Sequence, residues 1–121
     1  MTLCLIVDDS STVRKAIRYI VQDFSFTIEE AEDGEKALEK CHISMPDVIL
    51  LDWNMPVMNG MEFLKAIRSE PGGSRPKIIF CTTENEFSRI QEAIVNGADE
   101  YVMKPFDKNI IREKLEQVGI I

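Results

Sequence analysis

Hydrophobic positions along this chain follow two alternating patterns. Some runs are short and apolar throughout, as strands covered on both faces are. These are Leu3–Val7 (LCLIV), residues 47–51 (DVILL) and residues 77–81 (KIIFC). Between them, apolar residues recur three and four positions apart, the period of a helix with one buried side. Val13, Ala16, Ile17, Ile20, Val21 and Phe24 make the first such stripe, and Ala37, Leu38 and Cys41 the second. Phe63, Leu64 and Ile67 make the third, and Phe87, Ile90, Ala93 and Ile94 the fourth. Residues 106–118 read as a closing amphipathic helix. Two weaker strands complete the pattern: residues 26–31, whose Glu29 and Glu30 mark an edge, and the short Glu100–Met103.

Local signals punctuate these segments. Ser10 or Ser11 can cap the first helix, and Asp33 opens the second. Asn59 with Glu62, and Thr83 with Glu86, have capping-box spacing. Gly97, free to turn left-handed, ends the fourth helix, and Pro71-Gly72-Gly73-Ser74 is a plain loop. Five β–α units in strict alternation predict an α/β fold: a doubly wound, five-stranded parallel sheet with five helices over its two faces. No repeat or low-complexity stretch interrupts them. A chain of 121 residues then suits one domain, 1–121. It is long enough to bury a core without disulfides or structural zinc.

Composition narrows the functional classes. The chain has 14 Lys plus Arg against 21 Asp plus Glu, a net charge of −7, which argues against a nucleic-acid partner. No apolar run is long enough to cross a bilayer, and the N-terminus has neither a basic region nor a cleavage site of a signal peptide. Cys4, Cys41 and Cys81 are odd in number and widely spaced. They read as buried, reduced thiols, and the chain as cytoplasmic.

In parallel sheets sites form beyond the carboxyl ends of the strands. Asp8 and Asp9 follow the first strand, and Asp52 the third. Thr82 and Thr83 follow the fourth, and Lys104 the fifth. One rim thus gathers three carboxylates, a hydroxyl and an ammonium. Two ionised carboxylates ~4 Å apart repel by about 4 kcal/mol at an effective dielectric of ~20. Either one holds a proton or a cation sits among them. No His or Cys stands in the group, so zinc is disfavoured, whereas oxygen ligands from few carboxylates suit Mg²⁺. A carboxylate beside such an ion can attack phosphorus and form an acyl phosphate. Lys104 and Thr82 are suited to meet the phosphoryl oxygens.

Four motifs carry a resemblance: VDDS at residues 7–10, LLDWNMPVMNG at 50–60, CTTE at 81–84 and KPF at 104–106. Each alone is weak, but all four fall in order at the right strand ends. From end to end the chain resembles the receiver domain of two-component response regulators, and is similar to stand-alone members such as the chemotaxis regulators. The resemblance implies a flavodoxin-like sheet of order 2-1-3-4-5 and no output domain. It implies Asp52 as phosphoacceptor. Mg²⁺ would be held by Asp9, Asp52 and the Asn54 carbonyl, with Asp8 acting through water. Lys104 would pair with the phosphoryl group, before a cis Pro105. Thr82 would swing toward that group and Tyr101 inward in response. Asn54 and Glu84 would tune dephosphorylation. Thr83 departs from the family, where a smaller residue is usual, and its branched side chain narrows access. The implied partners are a sensor histidine kinase or histidine phosphotransfer protein, and an effector on the face of the fourth helix, fifth strand and fifth helix. The chain would be a monomer or a weak phosphorylation-dependent dimer.

Plainer readings compete at individual positions. Asp8 and Asp9 alone could simply complement a helix N-terminus. Tyr101 is an ordinary half-buried aromatic of an edge strand, and Trp53 a partly exposed neighbour of the rim. Met55, Met58 and Met61 read as packing, and His42 as solvent-facing. The charges between residues 29 and 40 read as a solvated face. Two functions follow. The first is a phosphorylation-gated binding module, which is no enzyme beyond its own phosphorylation and dephosphorylation. The second is a Mg²⁺-dependent phosphohydrolase with an aspartyl nucleophile. The second needs a general acid two residues after the nucleophile. Asn54 stands there and cannot serve.

Overall fold

The computed structural model describes residues 1–121. Its strands are β1 (Leu3–Val7), β2 (Thr27–Ala31), β3 (Val48–Leu51), β4 (Lys77–Thr82) and β5 (Glu100–Met103). The helices are α1 (Ser11–Val21), α2 (Gly34–Ile43), α3 (Gly60–Arg68), α4 (Ile90–Val95) and α5 (Lys108–Gln117). All strand pairs are parallel, in the order β2-β1-β3-β4-β5. The edge position expected from Glu29 and Glu30 is therefore that of β2, and the expected fold is the observed one.

The unbroken apolar runs are explained by alternation across the sheet. Leu5, Val7, Ile49, Leu51, Ile78 and Phe80 point to one face, against Ala37 and Cys41 of α2 and Phe63, Leu64 and Ile67 of α3. Cys4, Ile6, Val48, Leu50, Ile79 and Cys81 point to the other, against Ile17 and Val21 of α1 and Ile111 and Leu115 of α5. All three cysteines are buried and free, as expected. Met61 is buried, while Met55 and Met58 pack against the core from its edge.

Helix starts follow the capping signals. Ser10, rather than Ser11, caps α1 by accepting the Val13 N–H. Asp33 caps α2 and accepts the Lys36 N–H. Asn59 and Glu62 form a reciprocal box before α3. Gly97 ends α4 at φ +112°.

Several boundaries differ from expectation: β3 starts at Val48 rather than at residue 47, β4 runs on to Thr82, and α5 stops at Gln117. Phe26 lies outside β2, packed beside Phe24 at the foot of α1. Residues 106–107 precede α5, because Asp107 accepts the Ile110 N–H and so caps the helix. The fourth helix is α-helical only from Ile90; Glu84–Arg89 is wound as a tighter 3₁₀ segment.

Candidate functional site

The sheet delivers the strand-end residues to one rim. Pairing continues one residue past β1 and β3: the Asp8 N–H donates to Ala31 O (3.1 Å) and the Asp52 N–H to Val7 O (2.9 Å). Both side chains are thereby drawn below the surface, Asp8 at 3% exposure and Asp52 at 7%, while Asp9 stays exposed. Ligating oxygens of Asp8, Asp9 and Asp52 all lie within 4.8 Å of one another. Lys104 arrives from β5, its N–H donating to Thr82 O, with a cis peptide to Pro105 behind it. Its Nζ lies 3.0 Å from Asp52 Oδ1 and 3.5 Å from Asp8 Oδ2.

Burial raises the Asp52 carboxyl above its ordinary value; Lys104 works against that rise and the charge of Asp8 adds to it. Burial disfavours the Lys104 ammonium, but the attraction and hydrogen bond of Asp52, with Asp8 behind it, outweigh burial and raise its pKa. Two buried carboxylates thus share one ammonium, and the third, Asp9, stands within 4.8 Å of both without a cation of its own. An all-oxygen, electron-rich group of this kind fits a hard divalent cation. Cys81 lies close by, but its side chain packs into the core layer of α1 and α5 and stands outside the group of oxygens; burial pushes its thiol up to about 12.

The other expected residues fall around this group. Thr82 is buried at the end of β4, its hydroxyl donating to Thr83 O (3.3 Å). Asn54, on the loop after β3, and Glu84, the first residue of the 3₁₀ segment, are exposed. Tyr101 is outside the cluster. Its ring meets Phe87 edge-on, with centroids 5.4 Å apart, and the Lys114 ammonium sits 4.8 Å from its centroid. The cluster is acidic, strand-ended and closed by a single lysine.

A receiver-domain model of response regulators matches residues 4–116. The chain belongs to the response-regulator receiver family. It is 38% identical to the chemotaxis protein CheY of Pseudomonas aeruginosa over 115 residues, covering 94% of this chain and 93% of that protein. It is also 38% identical to the chemotaxis protein CheY1 of Helicobacter pylori strain 26695, covering 94% of each. The solved structure of CheY4 from Vibrio cholerae superposes with a TM-score of 0.89 at 37% identity, covering 98% of both chains. The chain is thus a CheY-like receiver of phosphorylation-based two-component signalling, and such receivers are signalling proteins that work with histidine kinases and downstream effectors. A phosphohydrolase is not favoured. No helix is long and apolar enough to cross a membrane.

Three features of this receiver were not foreseen. Trp53, expected to be partly exposed, is 1% exposed. The chain folds back after β3, with the Gly60 N–H donating to Trp53 O (2.9 Å), and the indole stacks on Phe80 with centroids 4.0 Å apart. Arg89 lays its guanidinium 4.8 Å from the centroid of the same ring. Glu86, read only as half of a capping box, also accepts a hydrogen bond from Asn54 Nδ2 at 2.6 Å. The capping spacing pointed to Glu86, but nothing in the local pattern shows a partner 32 residues away.

Proposed function

We propose that Asp52 accepts a phosphoryl group from a phosphohistidine of a sensor kinase or phosphotransfer protein, and that the resulting charge switches binding of an effector. The single observation that supports this most is the placing of Asp52: buried among acids, yet paired at 3.0 Å with the only ammonium at the rim. The group has oxygen donors for Mg²⁺ in Asp8, Asp9, Asp52 and the Asn54 carbonyl. When bound, Mg²⁺ would supply positive charge against the developing charge of the transferring phosphoryl group. An Asp52 carboxylate oxygen attacks phosphorus as the P–N bond to the donor imidazole breaks, giving an acyl phosphate and a free histidine. Lys104 exchanges its ion pair with Asp52 for one with a phosphoryl oxygen. Thr82 turns its hydroxyl from Thr83 O toward another.

Tyr101 would pass this change to the face of α4, β5 and α5. Phe87, Ile94, Val95 and Ile110 are exposed apolar residues on these elements and their approaches, which suits a protein effector there. Asn54 and Glu84 would set the lifetime of the acyl phosphate, and Thr83 its access to water. The names of the relatives make a chemotaxis-like role the first to test. The chain would work in the cytoplasm, as a monomer or weak phosphorylation-dependent dimer. The only chemistry would be its own stoichiometric phosphorylation and dephosphorylation.

The test is labelling by acetyl phosphate, followed by intact mass. One phosphoryl group per chain is expected with Mg²⁺, none with EDTA and none on Asp52→Asn. Undiminished labelling of Asp52→Asn would reject the assignment.

A further inference from the structure

Two side-chain contacts tie the Glu84–Arg89 segment to the residues just after Asp52, and the phosphoryl chemistry uses neither. Glu86 Oε2 accepts from Asn54 Nδ2 at 2.6 Å. Glu86 Oε1 accepts from the Thr83 N–H at 3.1 Å and from the Thr83 hydroxyl at 3.0 Å. One carboxylate therefore joins the loop leaving β3 to the end of β4. Thr83 is also the residue whose carbonyl receives the Thr82 hydroxyl. The hydroxyl that would answer phosphorylation rests on a residue that Glu86 holds by two bonds. Three residues further along, Arg89 covers Trp53, so the segment grips residues 53 and 54 alike.

We propose that Glu86 is a positioning residue for the phosphoryl response. By clamping Asn54 and Thr83 it keeps the Thr82 hydroxyl in its resting orientation, and so opposes the state in which that hydroxyl faces a group on Asp52. The proposal rests on Asp52 being the acceptor. A contact made in one of two states biases the equilibrium toward that state, and its loss shifts the balance to the other. The clamp works through direct hydrogen bonds, whereas repulsion of an anion by the Glu86 charge alone would be screened by salt. Trp53 lies under Arg89 and supplies the signal.

The test uses the full chain, Mg²⁺ and beryllofluoride titrated against Trp53 emission, for wild type, Glu86→Ala, Glu86→Gln and Thr83→Val, at low and high salt. Glu86→Ala should bind beryllofluoride about three- to tenfold more tightly, the equivalent of roughly one net hydrogen bond. Glu86→Gln keeps an oxygen for Thr83 and an amide able to meet Asn54, so it should stay within about twofold of wild type. Thr83→Val, which loses one of the three bonds, should fall between them and covers the case of a poorly folded Glu86→Ala. The tightening should persist at high salt. Equal affinity of Glu86→Ala and wild type overturns the proposal. So does an equal gain in Glu86→Gln that disappears with salt, since charge alone would then be the cause. Acetyl phosphate labelling of wild type separates the two readings. If labelling fails, the acceptor assignment falls; if it proceeds while Glu86→Ala binds like wild type, only the role of Glu86 falls.

Discussion

Lys104 Nζ contacts both Asp52 Oδ1, at 3.0 Å, and Asp8 Oδ2, at 3.5 Å, so one half-buried cation serves two buried carboxylates. Those oxygens are also the donors available to a divalent ion. The ammonium and the ion therefore compete for the same charge. Lys104→Ala should lower stability in EDTA by about 1–3 kcal/mol, because a buried carboxylate loses its charged partner. It should also bind Mg²⁺ more tightly than wild type, and added Mg²⁺ should recover most of the lost stability. Urea unfolding with EDTA and with Mg²⁺ checks both. Equal Mg²⁺ affinity in the two proteins would show that Lys104 does not compete at this site.

Thr82 is fully buried and its hydroxyl donates only to the next carbonyl, Thr83 O, at 3.3 Å. That bond is long and weak in itself, so once Thr83 is free to yield the hydroxyl can exchange it for a stronger acceptor. Thr82→Ala should be labelled by acetyl phosphate to the same stoichiometry as wild type. The phosphorylated variant should lose the change in effector affinity. Normal switching in the variant would move the sensor elsewhere.

Much of this fold could be read from the residues because β1, β3 and β4 are covered on both sides. Leu5 and Ile6 face opposite helical layers, so both must be apolar, and an unbroken run results. The acidic rim was legible for the same reason: a polar residue directly after such a run, as Asp52 is after Leu51, has left the core at a strand end. Trp53 misled because it also follows that strand. Its burial depends on the return of the chain at Gly60 and on the ring of Phe80, both distant in sequence. The 3₁₀ winding of Glu84–Arg89 was hidden too, since its apolar spacing is that of an α-helix. Its side chains meet distant partners, Glu86 accepting from Asn54 and Arg89 stacking on Trp53, contacts across space that leave no local periodicity.

Gly60 opens α3 with no room for a side chain. A Cβ there would lie 2.2 Å from the backbone oxygen of Asp52 and 2.9 Å from the ring of Phe80. Gly60→Ala must push the helix away from the acceptor loop. A loss of about 1–3 kcal/mol is expected, the range for overfilling a packed site. The same clash bears on the backbone of Asp52, so acetyl phosphate labelling should slow as well. Guanidinium unfolding and labelling rates on the same preparation test the two effects. Wild-type stability in the variant would mean that α3 is free to retreat.

Acid sensitivity should arise far from the acceptor, at Asp47. Its carboxylate accepts the Leu3 N–H at 2.8 Å and an Arg75 N–H at 2.7 Å, pinning the start of β1 and the approach to β4 to the foot of β3. The hydrogen bond from Leu3, then that from Arg75, holds the Asp47 carboxyl below its ordinary value of 3.8. Folding therefore favours the ionised form, and the native state binds fewer protons here than the unfolded chain. The stabilisation is complete at pH values above the ordinary one. It fades as the pH falls from there through the lowered native value. Asp47→Asn removes the charge and should cost roughly 1 kcal/mol at neutral pH. The stability gap between the two proteins should close on acidification below about 4, the upper end of that window. Urea midpoints measured from neutral pH to pH ~2 follow it. A gap that stays constant across the range would mean that Asp47 is not a source of the acid response.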